Sequence, residues 1–306
     1  MSENTHFLGD NPIERIEDDL FNFEHYALKV QQLIQLNSND SNPLTIGIYG
    51  KWGEGKTSFL KLIENKIDVW KKTEAQKGIL KYHFNPWRYS TEEEMLFDFF
   101  DGLAKTMFVD KNSNLQKVGK GILRFSKYLK AVKISASAGI STTNKISATF
   151  EPSEIFKALG EDFVGKDITL DKLKDKVNEA LKVSNYKIVV FIDDIDRLDK
   201  DEIYTILKIV KLNGNFNNFI YLIPLDSEHV SKAISKRYGD EIKDGRFFLE
   251  KIINIPIHLP RIEEEDLKYF FESKFDLIKK SLFKKLKTNK EEEFILILYE
   301  FSGRFF

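Results

Sequence analysis

Residues 50–57 read Gly-Lys-Trp-Gly-Glu-Gly-Lys-Thr and fit the pattern G-x-x-x-x-G-K-[ST]. No other feature of the sequence constrains the fold as strongly. A backbone that curls round the β- and γ-phosphates of a nucleotide must turn its N–H groups inward at positions where a side chain would obstruct. Lys56 adds a point charge for the phosphates, and the Thr57 hydroxyl is a ligand for Mg²⁺. A helix beginning there aims its positive end at the anion. The flanks agree with this reading: an apolar run, Leu44–Tyr49, precedes the loop, and Phe59, Leu60, Ile63 and Ile67 follow at helical spacing. Strand, loop and helix in that order predict an α/β fold. Gly50, Trp52, Gly53, Glu54, Gly55, Lys56, Thr57 and Ser58 are the expected nucleotide-binding residues.

A second signal is independent of the first. Ile188–Ile192 is an apolar strand that runs into Asp193 and Asp194. A central strand would deliver Asp193 to the carboxyl edge of the sheet beside the phosphate loop, as a magnesium ligand. Asp194, facing the other way, could polarise the attacking water. The alternative is that these carboxylates cap the following helix; it suits Asp196 better than the Asp193–Asp194 pair. Strand candidates Ile79–Phe84, Lys187–Ile192, Phe219–Ile223 and Ile252–His258 complete five with Leu44–Tyr49. They alternate with helical patterns, which predicts a mostly parallel sheet covered on both faces. One strand lies between the loop strand and the acidic strand. This places the chain in the additional-strand class, with order 5-1-4-3-2, as a three-layer P-loop NTPase with a C-terminal helical region. The intervening strand ends at Asp226, which reads equally as a polar sensor and as a helix cap.

The rest of the chain is organised around this core. Residues 1–42 read as a lead-in with one amphipathic helix, 43–260 as the core with an insertion at 109–186, and 261–306 as a helical lid region that reads as truncated. Within the insertion, Ile134, Ala136, Ala138 and Ile140, then Ile146, Ala148 and Phe150, alternate about Ser141–Asn144 and suggest a β-hairpin. With 47 basic and 48 acidic residues, the net charge gives no global field for nucleic acid. The lysine cluster from Lys279 to Lys290 reads first as a solvated helix face. Cysteine is absent, which removes disulfides, thiolate metal sites and cysteine nucleophiles. No apolar run approaches the roughly 20 residues of a membrane span. The expected location is the cytoplasm, with peripheral attachment to an inner membrane left open. Asn65-Lys66-Ile67-Asp68 spells the guanine-reading N-K-x-D, but mid-helix it cannot reach a base, so ATP is favoured.

Several further elements resemble the KAP family of P-loop NTPases in order along the chain. They are Asp10–Ile13 with Asp18-Asp19-Leu20 and Tyr26-Ala27, Trp52-Gly53 within the loop, and Asn85-Pro86-Trp87-Arg88-Tyr89 after the second strand. Asp193-Asp194-Ile195-Asp196-Arg197 and Leu249–Ile253 follow. The resemblance implies an ATPase switch or motor domain with ATP and Mg²⁺, often in bacterial exclusion of phage or plasmids, or in signalling at membranes. It implies a homo-oligomer or a partner protein of a defence system. Many members carry transmembrane helices between the two acidic and glycine motifs, where this chain has the polar segment 132–150. The family's C-terminal arginine has Arg304 as its counterpart. In-line attack of water on the γ-phosphate is the expected reaction, with Lys56 and Mg²⁺ neutralising charge and Asp194 as base. Arg246 is either an arginine finger supplied in trans or a surface arginine. Two rival readings are a nucleotide-gated interaction switch with little turnover and a small-molecule P-loop kinase.

Overall fold

The computed structural model describes residues 12–13, 16–19, 21–73, 77–89, 91–137, 169–238, 242–262, 265–266 and 268. The chain divides into a compact unit Glu24–Leu259 and a second unit composed of Met1–Phe23 and Pro260–Phe306. In the second unit the described residues include a 3-10 turn, Ile16–Asp18. All that follows concerns the first unit, which includes the amphipathic helix α1 (Glu24–Leu36).

The elements run β1 (Leu44–Tyr49), α2 (Lys56–Thr73), β2 (Gly78–Phe84), α3 (Glu92–Val109), α4 (Ser113–Ser137), α5 (Leu170–Ser184) and β3 (Tyr186–Ile192). They continue with α6 (Lys200–Lys208), a π-turn at Ile209–Asn213, β4 (Phe219–Leu225), α7 (Ser227–Tyr238), α8 (Ile242–Glu250) and β5 (Ile255–His258). The five strands form one sheet in the order β2-β3-β4-β1-β5, and every pairing is parallel. Read from the other edge this is 5-1-4-3-2, as the sequence predicts. The acidic strand β3 and the loop strand β1 are separated by β4.

Parallel strands joined by helical crossovers need both faces covered, and their sequences lose the polar alternation of an edge sheet. β4 is buried at every position, and β3 at all but its first. On β3, Ile188, Val190 and Ile192 enter a core shared with α3, α4, α5 and α6. Val189 and Phe191, equally buried, point to the opposite layer, where Phe191 stacks on His83 with ring centroids 4.6 Å apart. Edge-to-face aromatic contacts knit the first layer: Phe100 meets Phe125 at 5.3 Å and Phe125 meets Phe216 at 5.2 Å. Lys187 is a buried exception at the start of β3. Its ammonium donates to Asn37 Oδ1 at 3.2 Å and to the carbonyl of Asp40, which caps the 3-10 turn Asn37–Asn39 after α1.

Two sequence readings give way here. The proposed hairpin would start near Ile134, but α4 continues through Ile134 and Ala136 to Ser137. Its apolar stripe, Leu115, Val118, Ile122 and Phe125, is fully buried, and no breaker follows it to stop propagation. The remaining hairpin residues, 138–150, lie outside the described residues, as do the lysine cluster and Arg304. β5 starts at Ile255, not Ile252, because Ile252 and Ile253 still donate to the Leu249 carbonyl at the end of α8. Among the described residues no helix is long and apolar enough to cross a membrane.

Candidate functional site

The carboxyl ends of β1, β3 and β4 converge on one edge of the sheet, and backbone bonds fix their levels. Gly50 N–H donates to Leu225 O at 3.2 Å, and Asp193 N–H donates to Phe84 O at 3.2 Å. Between β1 and α2 the chain makes the tight loop the glycines call for. Gly53 and Gly55 have φ of +83° and +82°, a region that an L side chain populates only under strain. The loop satisfies itself: Lys51 N–H donates to Glu54 Oε2 at 2.6 Å. Lys56 Nζ donates to the carbonyls of Gly50 at 3.0 Å and Lys51 at 2.9 Å. Ser58 lies in the first turn of α2, and Trp52 stands out from the loop.

Lys56 also forms an ion pair with Asp196 at 2.8 Å, with both side chains about nine-tenths covered. The other Asp196 oxygen accepts from Asp226 N–H at 2.7 Å. Asp196 therefore ties the loop lysine to the end of β4. Helix capping falls instead to Asp199, which forms a full capping box with Glu202 on α6. Asp226 caps α7, accepting from the N–H groups of Glu228 at 3.0 Å and His229 at 3.1 Å, so the structure realises the helix-cap alternative for its carboxylate. Arg246 lies exposed on α8, and no contact among the described residues links it to the loop.

Asp193 follows the last residue of β3 and lines the same cleft as Thr57. Burial, reinforced by the charge of Asp194, pushes the Asp193 carboxyl up from its ordinary range. The bond from Asp194 N–H, the nearby Thr57 hydroxyl and the charge of Lys56 oppose that push only in part. Asp194 then turns the chain sharply with a φ of +61°, a conformation aspartate tolerates better than most residues. Both Asp194 oxygens are engaged. Asn85 Nδ2 donates to one at 2.7 Å, and Arg197 Nε donates to the other at 2.7 Å.

A cleft of about 170 Å³ opens beside Thr57 and Asp193, lined also by Glu64, His83, Asn85 and Arg88. Its polar wall is an ion-paired cluster in which Glu64 meets Lys81 at 2.8 Å and His83 at 2.9 Å, and Lys81 meets Asp68 at 2.7 Å. Lys66 pairs with Glu24. Lys66 and Asp68 of the N-K-x-D look-alike thus serve ion pairs around α2, and Ile67 is in the core. Asn85 and Arg197 are quoted from sequence only within family-like strings. Asn85 was findable as the polar residue ending β2 at the active edge, whereas the partner of Arg197 had no sequence signal.

Mg²⁺ binds through one or two protein oxygens, with phosphate oxygens and water completing its octahedron. Thr57 and a half-buried Asp193, lining the same cleft, fit that requirement. Among the described residues no cluster of three or more His, Asp or Glu offers an all-protein cage.

A family model of the KAP family P-loop domain matches residues 23–303. The chain is 24% identical over 286 residues to the phage T7 exclusion protein of Escherichia coli (strain K12), and the match covers 88% of this chain and 37% of that protein. The chain therefore spans well under half the length of that relative. Among solved structures, the Aeropyrum pernix ORC2 protein in its ADP form has a TM-score of 0.43 at 12% identity, over 89% of this chain and 55% of that one. The Aeropyrum pernix ORC1 protein in complex with DNA has a TM-score of 0.37 at 11% identity, over 83% and 49%. By a family match that runs through both the phosphate loop and the acidic strand, the chain belongs to the KAP family of P-loop proteins.

Proposed function

We propose that this site binds ATP with Mg²⁺ and hydrolyses it, as the switch or motor module of a bacterial anti-phage or plasmid-exclusion system. The observation that carries the reading is the meeting of the loop with the acidic strand: Thr57, next to Lys56 in the first turn of α2, lines one cleft with Asp193, and Asp194 follows at the same edge. The loop amides and the α2 N-terminus receive the β- and γ-phosphates. Lys56 leaves Asp196 and the two loop carbonyls and moves onto the phosphate oxygens. Thr57 and Asp193 hold the metal, which when bound neutralises charge developing on the β- and γ-oxygens. Asp194, released from Asn85 and still held by Arg197 at its other oxygen, orients the water for in-line attack and accepts its proton.

The exclusion role rests on the similarity to the phage T7 exclusion protein. A nucleotide-gated scaffold with little turnover is a second reading. It is favoured by the engagement of both Asp194 oxygens and of Lys56 by other side chains. ATP over GTP follows from the misplaced N-K-x-D. Assembly with a second copy or a partner protein, and residence in the cytoplasm, belong to the same proposal.

The test is equilibrium binding of ATP and GTP with and without Mg²⁺, alongside phosphate release, for wild type and Lys56→Ala. Mg²⁺-dependent ATP binding that Lys56→Ala abolishes supports the site, and measurable release separates hydrolase from scaffold. A wild-type chain that binds neither nucleotide sinks the reading.

A further inference from the structure

Arg197 occupies an unusual position. Its guanidinium carbon lies 5.2 Å from the ring centroid of Trp52 and 4.9 Å from that of Trp87, while its Nε holds Asp194 at 2.7 Å. Both rings are largely in water, with Trp52 65% exposed and Trp87 57% exposed. Neither contributes to the core, so burial does not account for two tryptophans converging on one cation. Trp52 belongs to the phosphate loop. Trp87 follows Asn85, whose Oδ1 accepts from Trp87 N–H at 3.0 Å and whose Nδ2 donates to Asp194.

These contacts close a circuit through three separate segments: the phosphate loop, the end of β2 and the turn after β3. Cation–π contacts at exposed sites are worth about 0.5–1 kcal/mol each, and a planar guanidinium can use both its faces at once. Two such contacts are strong enough to bias where Arg197 sits, yet weak enough for a ligand in the loop to reverse. The loop must rearrange to admit phosphate, because Lys56 and Glu54 now occupy its carbonyls and its Lys51 amide. Trp52 lies between the residues that move.

We propose that Arg197 is the positioning residue for Asp194, and that Trp52 and Trp87 make its hold on that carboxylate depend on the state of the phosphate loop. The proposal rests on the nucleotide reading above. With the loop self-satisfied, Trp52 keeps Arg197 on Asp194. When phosphate enters, Trp52 shifts, and Arg197 moves with Asp194 still bonded to it, which sets Asp194 for the water. Because coupling between sites is reciprocal, the bracket of Arg197 and its two tryptophans also feeds the state of Asp194 back to the loop.

The chain offers its own probe. Trp70 is buried on α2 and gives a steady background, whereas Trp52 and Trp87 report from the bracket. Tryptophan emission is followed during titration with ATP and Mg²⁺, while equilibrium dialysis of labelled ATP measures binding separately. The proteins are wild type, Arg197→Ala, Arg197→Lys and Trp52→Leu. Expected are an emission change on binding in wild type and its loss in Arg197→Ala with affinity kept within about threefold. kcat should fall about tenfold or more with KM within about threefold, the mark of a group that acts after binding. Arg197→Lys keeps the charge without the plane and falls between, and Trp52→Leu loses kcat in the same way while its fold is checked by circular dichroism. Binding without any emission change in wild type, or kcat within about twofold in Arg197→Ala, overturns the proposal alone. Absence of binding by dialysis overturns the nucleotide reading and the proposal with it.

Discussion

Asp196→Asn isolates the contact that holds the loop lysine on Asp196. The substitution is nearly isosteric: its Oδ1 still accepts from Asp226 N–H, now 2.7 Å away, while the charge opposite Lys56 is removed. Two unit charges at 2.8 Å attract by about 6 kcal/mol at an effective dielectric of about 20. Most of that is offset by the cost of taking both groups out of water. A net of about 2 kcal/mol is what a hydrogen bond between charged groups contributes. Unfolding by urea without nucleotide should therefore show the variant less stable by about 2 kcal/mol. The same contact must be broken before Lys56 reaches phosphate, so its loss should tighten ATP binding by about 30-fold, the equivalent of 2 kcal/mol. Calorimetric titration with ATP and Mg²⁺ reads the affinity, and the stability deficit should close at saturating nucleotide. Affinity unchanged within about threefold, or weakened, refutes the reasoning, because the pair would then persist in the bound state.

Three more outcomes follow from groups outside the loop. Burial, with the neighbouring charge of Lys77, depresses the Lys187 ammonium to about 8. Between pH 8 and about 10.4 the unfolded chain therefore binds more protons than the folded one. Wild type should gain up to about 3 kcal/mol over Lys187→Met as pH rises through that window, read as urea midpoints. Burial pushes the Glu64 carboxyl up, but the hydrogen bonds and charges of His83 and Lys81 outweigh it and hold the group well below the usual carboxylate range. Its contribution is complete above the unfolded value of about 4.3 and is lost as pH falls below it. Glu64→Gln should cost about 2 kcal/mol at pH 7 and progressively less below pH 4, measured by thermal unfolding across pH. A Cβ on Gly245 would stand 1.9 Å from the Ser231 carbonyl oxygen, which is backbone and cannot swing aside. Gly245→Ala should lower stability by about 3 kcal/mol through forced separation of α7 and α8, seen in the urea midpoint.

The frame of this molecule was legible because parallel strands carry a local signature. β1 falls at Leu44–Tyr49 as read, and β2, β3 and β4 differ from their readings by one or two residues at one end. The loop was legible because its glycines answer a backbone requirement that Gly53 and Gly55 meet with positive φ. What stayed hidden depends on partners far apart in the chain. Asp196 looks like a cap until Lys56, 140 positions earlier, reaches it. Asp194 shows in sequence as a free carboxylate, yet Asn85 and Arg197 fill both its oxygens. Alternation at Ile134 and Ala136 imitated a strand because a short stretch of small and apolar residues fits either period, and the long amphipathic run upstream decided for helix.

The central claim is that Asp194 acts on the γ-phosphate at a site built by Lys56, Thr57 and Asp193. Single-turnover hydrolysis of γ-labelled ATP with Mg²⁺ tests it most directly, on wild type and Asp194→Asn at saturating protein, with ATP affinity measured on the same samples. The account predicts cleavage slowed at least about 100-fold in the variant, with affinity held within about threefold. Cleavage at the wild-type rate in Asp194→Asn would contradict it.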